Sequence, residues 1–337
     1  MKMIGFKKGS RVDAPGNLFD TTAGMPVPGP RDVLVRVRAV GVNPLDTKVR
    51  AGLVAVPDSV VSLGWDAAGT VHAVGSAATL FAPGQAVYYA GSFDRTGAHA
   101  EYHLADERSV GRMPATLDFA QAASVPLAAL TAWQLLFERF AIAPGDRQQR
   151  GSLLVLGGAG GVGSMLVQLA RRLTGFTVIA TASRGDSADW CRAMGAHHVI
   201  DHTLPLAPQV AALGVAPVQH IAALSHTARH VAALAQIIAP HGKLAVIDDH
   251  EHFDAAPLKG KSVSLHWEMV FTRPLYGTPD MIGQHHILNR VADLLEQGVL
   301  RPTLRQRLSP MDAATLRRAH ALLERGGQPG KVVVSAG

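Results

Sequence analysis

The feature that most constrains this chain is a glycine-rich loop between an apolar run and a helical pattern. Residues 153–156 are all apolar, as in a strand buried within a parallel sheet. The loop Gly157-Gly158-Ala159-Gly160-Gly161-Val162-Gly163 follows directly, and helical spacing begins near Ser164. We therefore expect a buried strand, a tight turn and a helix in immediate succession.

Within the loop, Gly158, Gly160 and Gly163 satisfy the spacing G-x-G-x-x-G. In that motif one glycine makes the turn, one lets the backbone reach a pyrophosphate, and one lets helix and strand pack closely. The helix N-terminus adds N–H groups without helical partners and the positive end of a dipole. The loop therefore predicts a bound dinucleotide, held by Gly158, Ala159, Gly160, Gly161, Val162 and Gly163.

The same strand-then-helix pattern recurs through the middle of the chain. Alternating strands and helices predict βαβ units, and six strands is the count of a doubly wound dinucleotide-binding sheet. We therefore assign the chain to the α/β class. Besides residues 153–156, the predicted strands are Thr177–Thr181, His198–Ile200, Val218–Leu224, Leu244–Ile247 and Val263–Leu265.

The first third of the chain is β-rich instead. Val33–Gly41 alternates apolar and basic residues, which is the period of a half-buried strand. Short runs separated by glycine and proline follow it and predict a small barrel or sandwich. These runs are Gly69–Val74, Ala86–Tyr89 and Ala98–Leu104.

After the β-rich part, the pattern becomes helical over Leu127–Phe140. The pattern changes again after residue 272, and the elements left there are too few to form a domain. We expect them to return to the β-rich part, giving one domain of residues 1–126 and 272–337. Residues 127–271 then form the dinucleotide-binding domain. The returning elements are Asp280–Glu296, Leu300–Leu304, Met311–Glu324 and Lys331–Ser335.

Charge and cysteine content narrow the possible partners. The 337 residues carry a formal net charge of +6, but lysine and arginine are scattered, so we expect no nucleic-acid partner. The single cysteine, Cys191, excludes an intramolecular disulfide and a cysteine-rich zinc lobe.

No apolar run predicts a membrane span, and the N-terminus lacks a secretory apolar core. We expect a cytoplasmic protein.

The residues after the second predicted strand of the sheet bear on the choice of cofactor. NAD sites usually carry an acidic residue there, whereas this chain has Ser183 and Arg184. A guanidinium pairs with phosphate through two N–H donors, so this position favours NADPH. Asp186 lies two residues further along and leaves NADH as the alternative.

Several motifs carry a family resemblance. Besides the glycine loop they are Gly41–Arg50, Leu63–Gly69, Ala129–Trp133, His197–His202 and Ser262–Glu268. Over essentially its whole length the chain resembles the medium-chain dehydrogenase/reductase superfamily. Within it, the chain resembles the quinone oxidoreductase-like branch, in particular the bacterial zinc-type alcohol dehydrogenase-like subgroup. The resemblance implies a GroES-like β domain, a Rossmann domain and an active site in the cleft between them.

The chain departs from the zinc alcohol dehydrogenases of that superfamily at the metal ligands. Asn43 replaces the first cysteine, and the Gly-His-Glu motif reads Gly64-Trp65-Asp66. Tryptophan cannot ligate zinc, and an amide is a poor ligand beside thiolate or imidazole. We therefore expect no catalytic zinc. His250 and His252 could share one face of a loop, which keeps a metal site as the alternative.

The resemblance places Asn43, Asp46, Trp65 and Thr131 around the nicotinamide and the acceptor. Asn43 either donates its amide N–H to a substrate carbonyl or caps the turn before Pro44. Asp46 either relays a proton or anchors its loop, and Trp65 either forms an apolar wall or packs in the core. Thr131 either hydrogen-bonds the nicotinamide or is an ordinary helix residue.

Three further residues are expected at the cofactor. His202 matches a position where related reductases carry a tyrosine beside the adenosine phosphate. Ile247 follows the fifth strand, where this fold commonly contacts the nicotinamide. Lys331, near the C-terminus, is expected at the cofactor phosphates.

Together these inferences predict an NADPH-dependent, zinc-independent reductase. It transfers hydride to a quinone or to an α,β-unsaturated carbonyl. The alternatives are a zinc-dependent alcohol dehydrogenase and an NADPH-binding protein without enzymatic activity. The strand Val263–Trp267 is expected at the sheet edge, where this superfamily pairs subunits, so the resemblance also implies a homodimer.

Overall fold

The computed structural model describes residues 1–148, 150–249 and 252–336. By its internal contacts the chain divides into two compact units. Unit 1 combines Met1–Leu130 with Phe271–Gly337, and unit 2 is Thr131–Val270. Each unit has a sheet of its own.

The strands are numbered in chain order. Unit 1 holds β1 (Lys2–Phe6), β2 (Leu18–Thr22), β3 (Asp32–Val42), β4 (Ala67–Val74), β5 (Ala86–Tyr89), β6 (Tyr102–Asp106), β7 (Val110–Arg112), β14 (Leu304–Leu308) and β15 (Lys331–Ser335). Unit 2 holds β8 (Ser152–Leu156), β9 (Thr177–Thr181), β10 (His198–Ile200), β11 (Val218–Ala223), β12 (Ile238–Val246) and β13 (Ser264–Trp267).

The helices are numbered in the same way. They are α1 (Pro44–Arg50), α2 (Phe119–Ala123), α3 (Pro126–Trp133), α4 (Gly161–Leu173), α5 (Gly185–Met194), α6 (Leu206–Ala212), α7 (Thr227–Ile237), α8 (Thr272–Tyr276), α9 (Gly283–Glu296) and α10 (Ala313–Arg325). In the part of the chain that the structure describes, no helix is both long enough and apolar enough to cross a lipid bilayer.

Strand β3 organises the main sheet of unit 1. It pairs with β4, β6 and β15, and the sheet runs in the order β14-β15-β3-β4-β5-β7. Val33, Val35 and Val37 are buried, whereas Arg36 and Arg38 are exposed. The predicted alternation is therefore confirmed over residues 35–39, whereas residues 33–35 and 39–42 are buried continuously. β15 joins β3 antiparallel, so residues 331–335 lie in the same sheet as residues 32–42.

Unit 2 is built on a parallel six-stranded sheet in the order β10-β9-β8-β11-β12-β13. Counted from β8, this is the 3-2-1-4-5-6 order of a doubly wound dinucleotide-binding sheet. The predicted α/β class is therefore confirmed. The inner strands β8 and β11 are buried on both faces, because helices cover both faces of such a sheet. β13 lies at the edge, as expected.

Two predicted strands are displaced in the structure. The prediction Ala98–Leu104 becomes β6 at Tyr102–Asp106, because Ala98 and His99 bond instead to the carbonyl groups of Gly64 and Leu63. The prediction Leu300–Leu304 becomes β14 at Leu304–Leu308, which begins opposite Lys331.

The helix predicted over Leu127–Phe140 also differs. The α-helical part ends at Trp133, and Gln134–Arg139 continues as a π-helix. In that turn the N–H of Phe140 donates to the carbonyl of Leu135, five residues earlier. One inserted residue widens the turn in this way. The spacing of apolar residues in the sequence does not indicate this insertion.

Candidate functional site

The glycine loop lies where β8 meets α4, as the sequence predicts. β8 ends at Leu156, and Gly160 is the N-cap of α4 with an extended backbone. The helix begins at Gly161, three residues before the predicted start. Its first-turn N–H groups have no carbonyl of their own helix to bind, so they face the loop as donors.

The glycines of the motif have different neighbours. A β-carbon on Gly158 would lie 2.6 Å from the β-carbon of Ala180, and one on Gly163 would lie 2.4 Å from the Gly157 carbonyl oxygen. Both positions are therefore needed for packing within the protein. A β-carbon on Gly160 would meet nothing nearer than 3.7 Å. The open space at Gly160 fits a cofactor pyrophosphate, which the motif places there.

Ser183 and Arg184 follow β9 and are exposed. Arg184 is the N-cap of α5. Burial lowers the pKa of His202, Asp201 raises it, and the charges of His226 and Arg184 lower it again. The guanidinium of Arg184 therefore lies close enough to act on the imidazole that follows β10. The cationic guanidinium of Arg184 at this edge of the sheet suits a phosphate.

Ile247 follows β12, and its N–H donates to the Ala223 carbonyl at 3.3 Å. The next residue, Asp248, accepts the Thr227 N–H at 2.9 Å and also the Thr227 hydroxyl. The segment after β12 is thereby tied to the start of α7. This contact fixes the backbone at Ile247 at the carboxyl end of the sheet.

Lys331 has an environment that the sequence analysis did not expect. Its side chain is only 4% exposed, and its ammonium lies 2.8 Å from Asp66 Oδ2 and 2.5 Å from Asn43 Oδ1. A cation buried at the head of β15 requires an anionic partner, and Asp66 is that partner. The Lys331 ammonium is already bonded to Asp66 and Asn43, which argues against a contact with the cofactor phosphates. The expected contact stays a prediction.

The carboxamide of Asn43 is held on both sides. Its oxygen accepts from Lys331, and its amide nitrogen donates at 3.3 Å to Asp66 and at 3.3 Å to the Gly41 carbonyl. Asn43 is also the N-cap residue of α1. Its amide donors are thus used within unit 1, through two long hydrogen bonds.

Asp46 is fully buried and anchors two backbone segments. Its carboxylate accepts the Asn43 N–H at 2.7 Å and the Gly64 N–H at 3.0 Å. Burial is the largest effect on its pKa, which rises to about 7 despite these bonds and the charge of Lys331. Asp46 therefore joins α1 to the segment that carries Trp65 and Asp66.

Trp65 and Thr131 complete the set of expected catalytic residues. Trp65 is 1% exposed, and its indole N–H has no hydrogen-bond partner among the residues described. Thr131 is buried on α3 and belongs to unit 2. Within unit 1, hydrogen bonds join Asn43 to Asp46 and to Asp66, the residue that follows Trp65.

The donor set around Asn43 does not fit a zinc ion. The oxygen atoms of Asn43 and Asp66 that a metal would need already accept from the Lys331 ammonium, which would repel a second cation. The part of the chain that the structure describes contains no group of three His, Cys, Asp or Glu side chains placed to hold a metal. Cys191 is buried on α5, where burial raises its thiol pKa to about 12. His250 and Glu251 lie outside the described residues.

Comparison with known proteins identifies the family. Residues 29–115 match the alcohol dehydrogenase GroES-like domain, and residues 194–334 match the zinc-binding dehydrogenase family. A zinc-type alcohol dehydrogenase-like protein of Staphylococcus aureus is 38% identical over 338 residues, which cover 99% of this chain and 100% of that protein. The chain belongs to the medium-chain dehydrogenase/reductase superfamily.

Other medium-chain dehydrogenases and reductases define the branch. A candidate zinc-dependent alcohol dehydrogenase of Rhizobium etli has a structure with a TM-score of 0.94 and 49% identity, covering 99% of this chain and 98% of that one. A quinone oxidoreductase of Pseudomonas aeruginosa is 39% identical over 176 residues, 52% of each protein. A mycobacterial protein solved with NADPH has a TM-score of 0.83 and 28% identity, covering 99% of this chain and 100% of that one. The quinone oxidoreductase-like resemblance is confirmed, and the protein is an oxidoreductase of the medium-chain type.

The partner of Lys331 is the site residue that sequence reasoning missed. The signals in the sequence were a lysine heading the apolar run of β15 and an aspartate directly before β4. A charged residue in a buried strand requires a partner. Asp66 and Lys331 are 265 residues apart, so the sequence alone could not pair them.

Proposed function

We propose that this oxidoreductase is an NADPH-dependent reductase that transfers hydride, without zinc, to a quinone or an α,β-unsaturated carbonyl compound. The observation that carries the proposal is the donor set around Asn43. Zinc alcohol dehydrogenases use thiolate and imidazole ligands, whereas this chain offers an amide and a carboxylate already paired with Lys331. A zinc-dependent alcohol dehydrogenase needs its metal as a Lewis acid to stabilise the alkoxide, and this donor set is poorly suited to hold one.

Quinones and conjugated carbonyl compounds suit such a site. They accept hydride at a carbon conjugated with a carbonyl, so the developing negative charge spreads to an oxygen that water can protonate. A neutral or cationic donor near that oxygen is then sufficient. The similarity to a quinone oxidoreductase over 176 residues supports this acceptor class.

NADPH is the proposed cofactor, and when bound its nicotinamide supplies the hydride. The open space at Gly160 and the first turn of α4 receive the pyrophosphate. Ser183 and Arg184 are proposed to bind the 2′-phosphate, with His202 beside them. Asp186 accepts the Ser187 N–H at the start of α5 through one of its two carboxylate oxygens. NADH remains the alternative cofactor.

The catalytic roles follow from the contacts of each residue. The amide of Asn43 donates through two bonds of 3.3 Å, which are long enough to be exchanged for a bond to an acceptor oxygen. Asp46 holds the backbone of Asn43 and Gly64 in place. Trp65 supplies buried apolar surface. Thr131 and Ile247 are proposed to contact the nicotinamide.

Subunit pairing is proposed at β13. This strand is the edge of the unit 2 sheet, and Trp267 on it is 55% exposed. An uncovered edge strand is a template for pairing with another chain. Light scattering is expected to give twice the mass of one chain, and a monomer at micromolar concentration would exclude the pairing. A cytoplasmic location remains part of the proposal.

The test is a steady-state assay of NADPH consumption against quinones, enones, aldehydes and ketones, with metal analysis of the same preparation. We expect turnover with quinones or enones that survives prolonged dialysis against a chelator. Loss of activity on dialysis, with recovery on adding zinc, would establish the zinc-dependent alternative. NADPH binding without turnover of any acceptor would favour a non-enzymatic protein.

A further inference from the structure

The buried cluster in unit 1 contains two carboxylates, one carboxamide and one ammonium. We infer that Lys331 is a positioning residue: its ammonium is the fixed cation of this site, holding the Asn43 carboxamide in one orientation where zinc alcohol dehydrogenases use a metal ion. The inference rests on the proposed hydride transfer, and it conflicts with the zinc-binding names of the relatives.

The hydrogen bonds allow only one orientation of the Asn43 amide. Its oxygen faces the Lys331 ammonium at 2.5 Å, and its NH2 group faces the Asp66 carboxylate and the Gly41 carbonyl. A flipped amide would point NH2 at the ammonium and oxygen at two acceptors. A lysine ammonium has donors only, so it cannot accept from the flipped group. Lys331 therefore determines where the amide hydrogens of Asn43 lie.

The charges require the same cation. Burial raises the pKa of Asp66, and Lys331 is the largest effect that opposes it. Lys331 also opposes the raised pKa of Asp46, while Asp66 adds to it. Removing the ammonium would leave two buried carboxyl groups competing for protons. Asp66 would then lose the charge with which it accepts from Asn43.

The ammonium is fixed by the fold and does not depend on a bound ion. Lys331 opens β15, and its own N–H donates to the Thr303 carbonyl. Asp66 is fixed in turn by the Leu127 N–H, which donates to its second oxygen at 3.2 Å. The cation is therefore in place before any substrate arrives, and this preorganisation favours charge stabilisation.

The kinetic test uses the variants Lys331→Met, Asp66→Asn and their combination. Lys331→Met alone leaves Asp66 unpaired, so we expect a lower urea midpoint and low activity. The double variant has no buried charge pair, and the new carboxamide at position 66 can donate to the freed oxygen of Asn43. We expect its urea midpoint to return close to wild type while kcat stays about 100-fold lower, with an unchanged KM for NADPH.

Ser152→Ala is the control for destabilisation. It removes a buried hydroxyl at the start of β8, outside the cluster, that donates to the Ala216 carbonyl at 2.8 Å. It should lower the urea midpoint and leave kcat unchanged. A double variant with wild-type kcat would overturn the inference, because the ammonium would then serve stability only.

A second measurement on the wild-type protein is independent of activity and of variant folding. Nitrogen-detected NMR should show the Lys331 ammonium and the Asn43 amide protons in slow exchange with water at neutral pH. Fast exchange of either group, or one equivalent of zinc bound with loss of the ammonium signal, would overturn the inference. If no acceptor is turned over, the proposed function fails, and this measurement still decides the role of Lys331.

Discussion

A β-carbon on Gly163 would lie 2.4 Å from the carbonyl oxygen of Gly157. The start of α4 can therefore pass this close to the end of β8 only when residue 163 is glycine. Gly160, three residues earlier, faces open space. The two glycines thus serve different purposes, one in the fold and one in the proposed cofactor site.

Substituting each glycine separates these purposes. Gly163→Ala should lower the free energy of unfolding by about 1–3 kcal/mol, because the new methyl group overpacks the turn. Gly160→Ala should change it by less than about 0.5 kcal/mol, yet abolish measurable NADPH binding. Urea unfolding and fluorescence titration with NADPH measure the two effects. Wild-type affinity in Gly160→Ala would contradict the pyrophosphate assignment.

Arg184→Ala should weaken NADPH binding by about 10- to 100-fold, because a charge-assisted hydrogen bond to phosphate is lost. NADH, which lacks the 2′-phosphate, should bind almost as before. The matched control is Arg192→Ala, which removes an exposed arginine from the same helix, paired there with Asp189. Calorimetric titration with both cofactors measures the difference. An equal loss for NADPH and NADH would remove the 2′-phosphate role of Arg184.

Burial lowers the pKa of His99 to about 3, well below the 6.5 of an exposed histidine. Below pH 6.5 the unfolded chain takes up a proton that the folded imidazole refuses. The free energy of unfolding should therefore fall by about 1.4 kcal/mol per pH unit from this residue alone. His99→Phe removes that contribution. Between pH 6.5 and pH 5 the free energy of unfolding of the variant should rise by about 2 kcal/mol relative to that of wild type.

Urea unfolding at pH 5, 6 and 7 tests the effect of His99. His103 and His220, whose pKa values burial lowers to about 4, keep their own contributions in the variant. The pH dependence should therefore become shallower by one proton and should not vanish. If the free energy of unfolding changes equally with pH in wild type and variant, His99 is not buried as a neutral imidazole.

Asp46 should give the opposite pH dependence. Its folded pKa of about 7 lies above the unfolded value of 3.8, so the folded chain keeps a proton that the unfolded chain releases. The contribution of Asp46 to the free energy of unfolding is fully present below about pH 4 and is lost as the pH rises to about 7. The variant Asp46→Asn should not show this loss. Its free energy of unfolding relative to that of wild type should therefore rise between pH 4 and pH 7. A constant difference between pH 4 and pH 7 would show that Asp46 is ionised throughout.

Features encoded by adjacent residues could be predicted from the sequence. The strands of unit 2 follow from short apolar runs, and the glycine loop follows from the spacing of Gly158, Gly160 and Gly163. Strands β1 and β2 were missed, because each is short and is stabilised by pairing with the other across residues 7–17. Helix α1 was missed as well, since its start depends on the Asp46 carboxylate accepting the Asn43 N–H.

The candidate site divides in the same way. Asn43 and Asp46 could be placed together from the sequence, because the family resemblance puts both near the nicotinamide. The structure adds that they lie three residues apart at the start of α1. The burial of Trp65 and the pairing of Lys331 with Asp66 could not, because they depend on which strands become neighbours. Sequence alone also could not show that the Asn43 amide is already engaged.

Strand β15 has a consequence for the order in which the protein is made. Lys331 is 288 residues from Asn43, so its ammonium reaches the amide only after β15 has emerged from the ribosome and joined β3. Until then the carboxylate of Asp66 has no lysine partner. A chain that stops at residue 330 would lose this strand and the site's cation together, which makes synthesis of β15 a precondition for assembling the site.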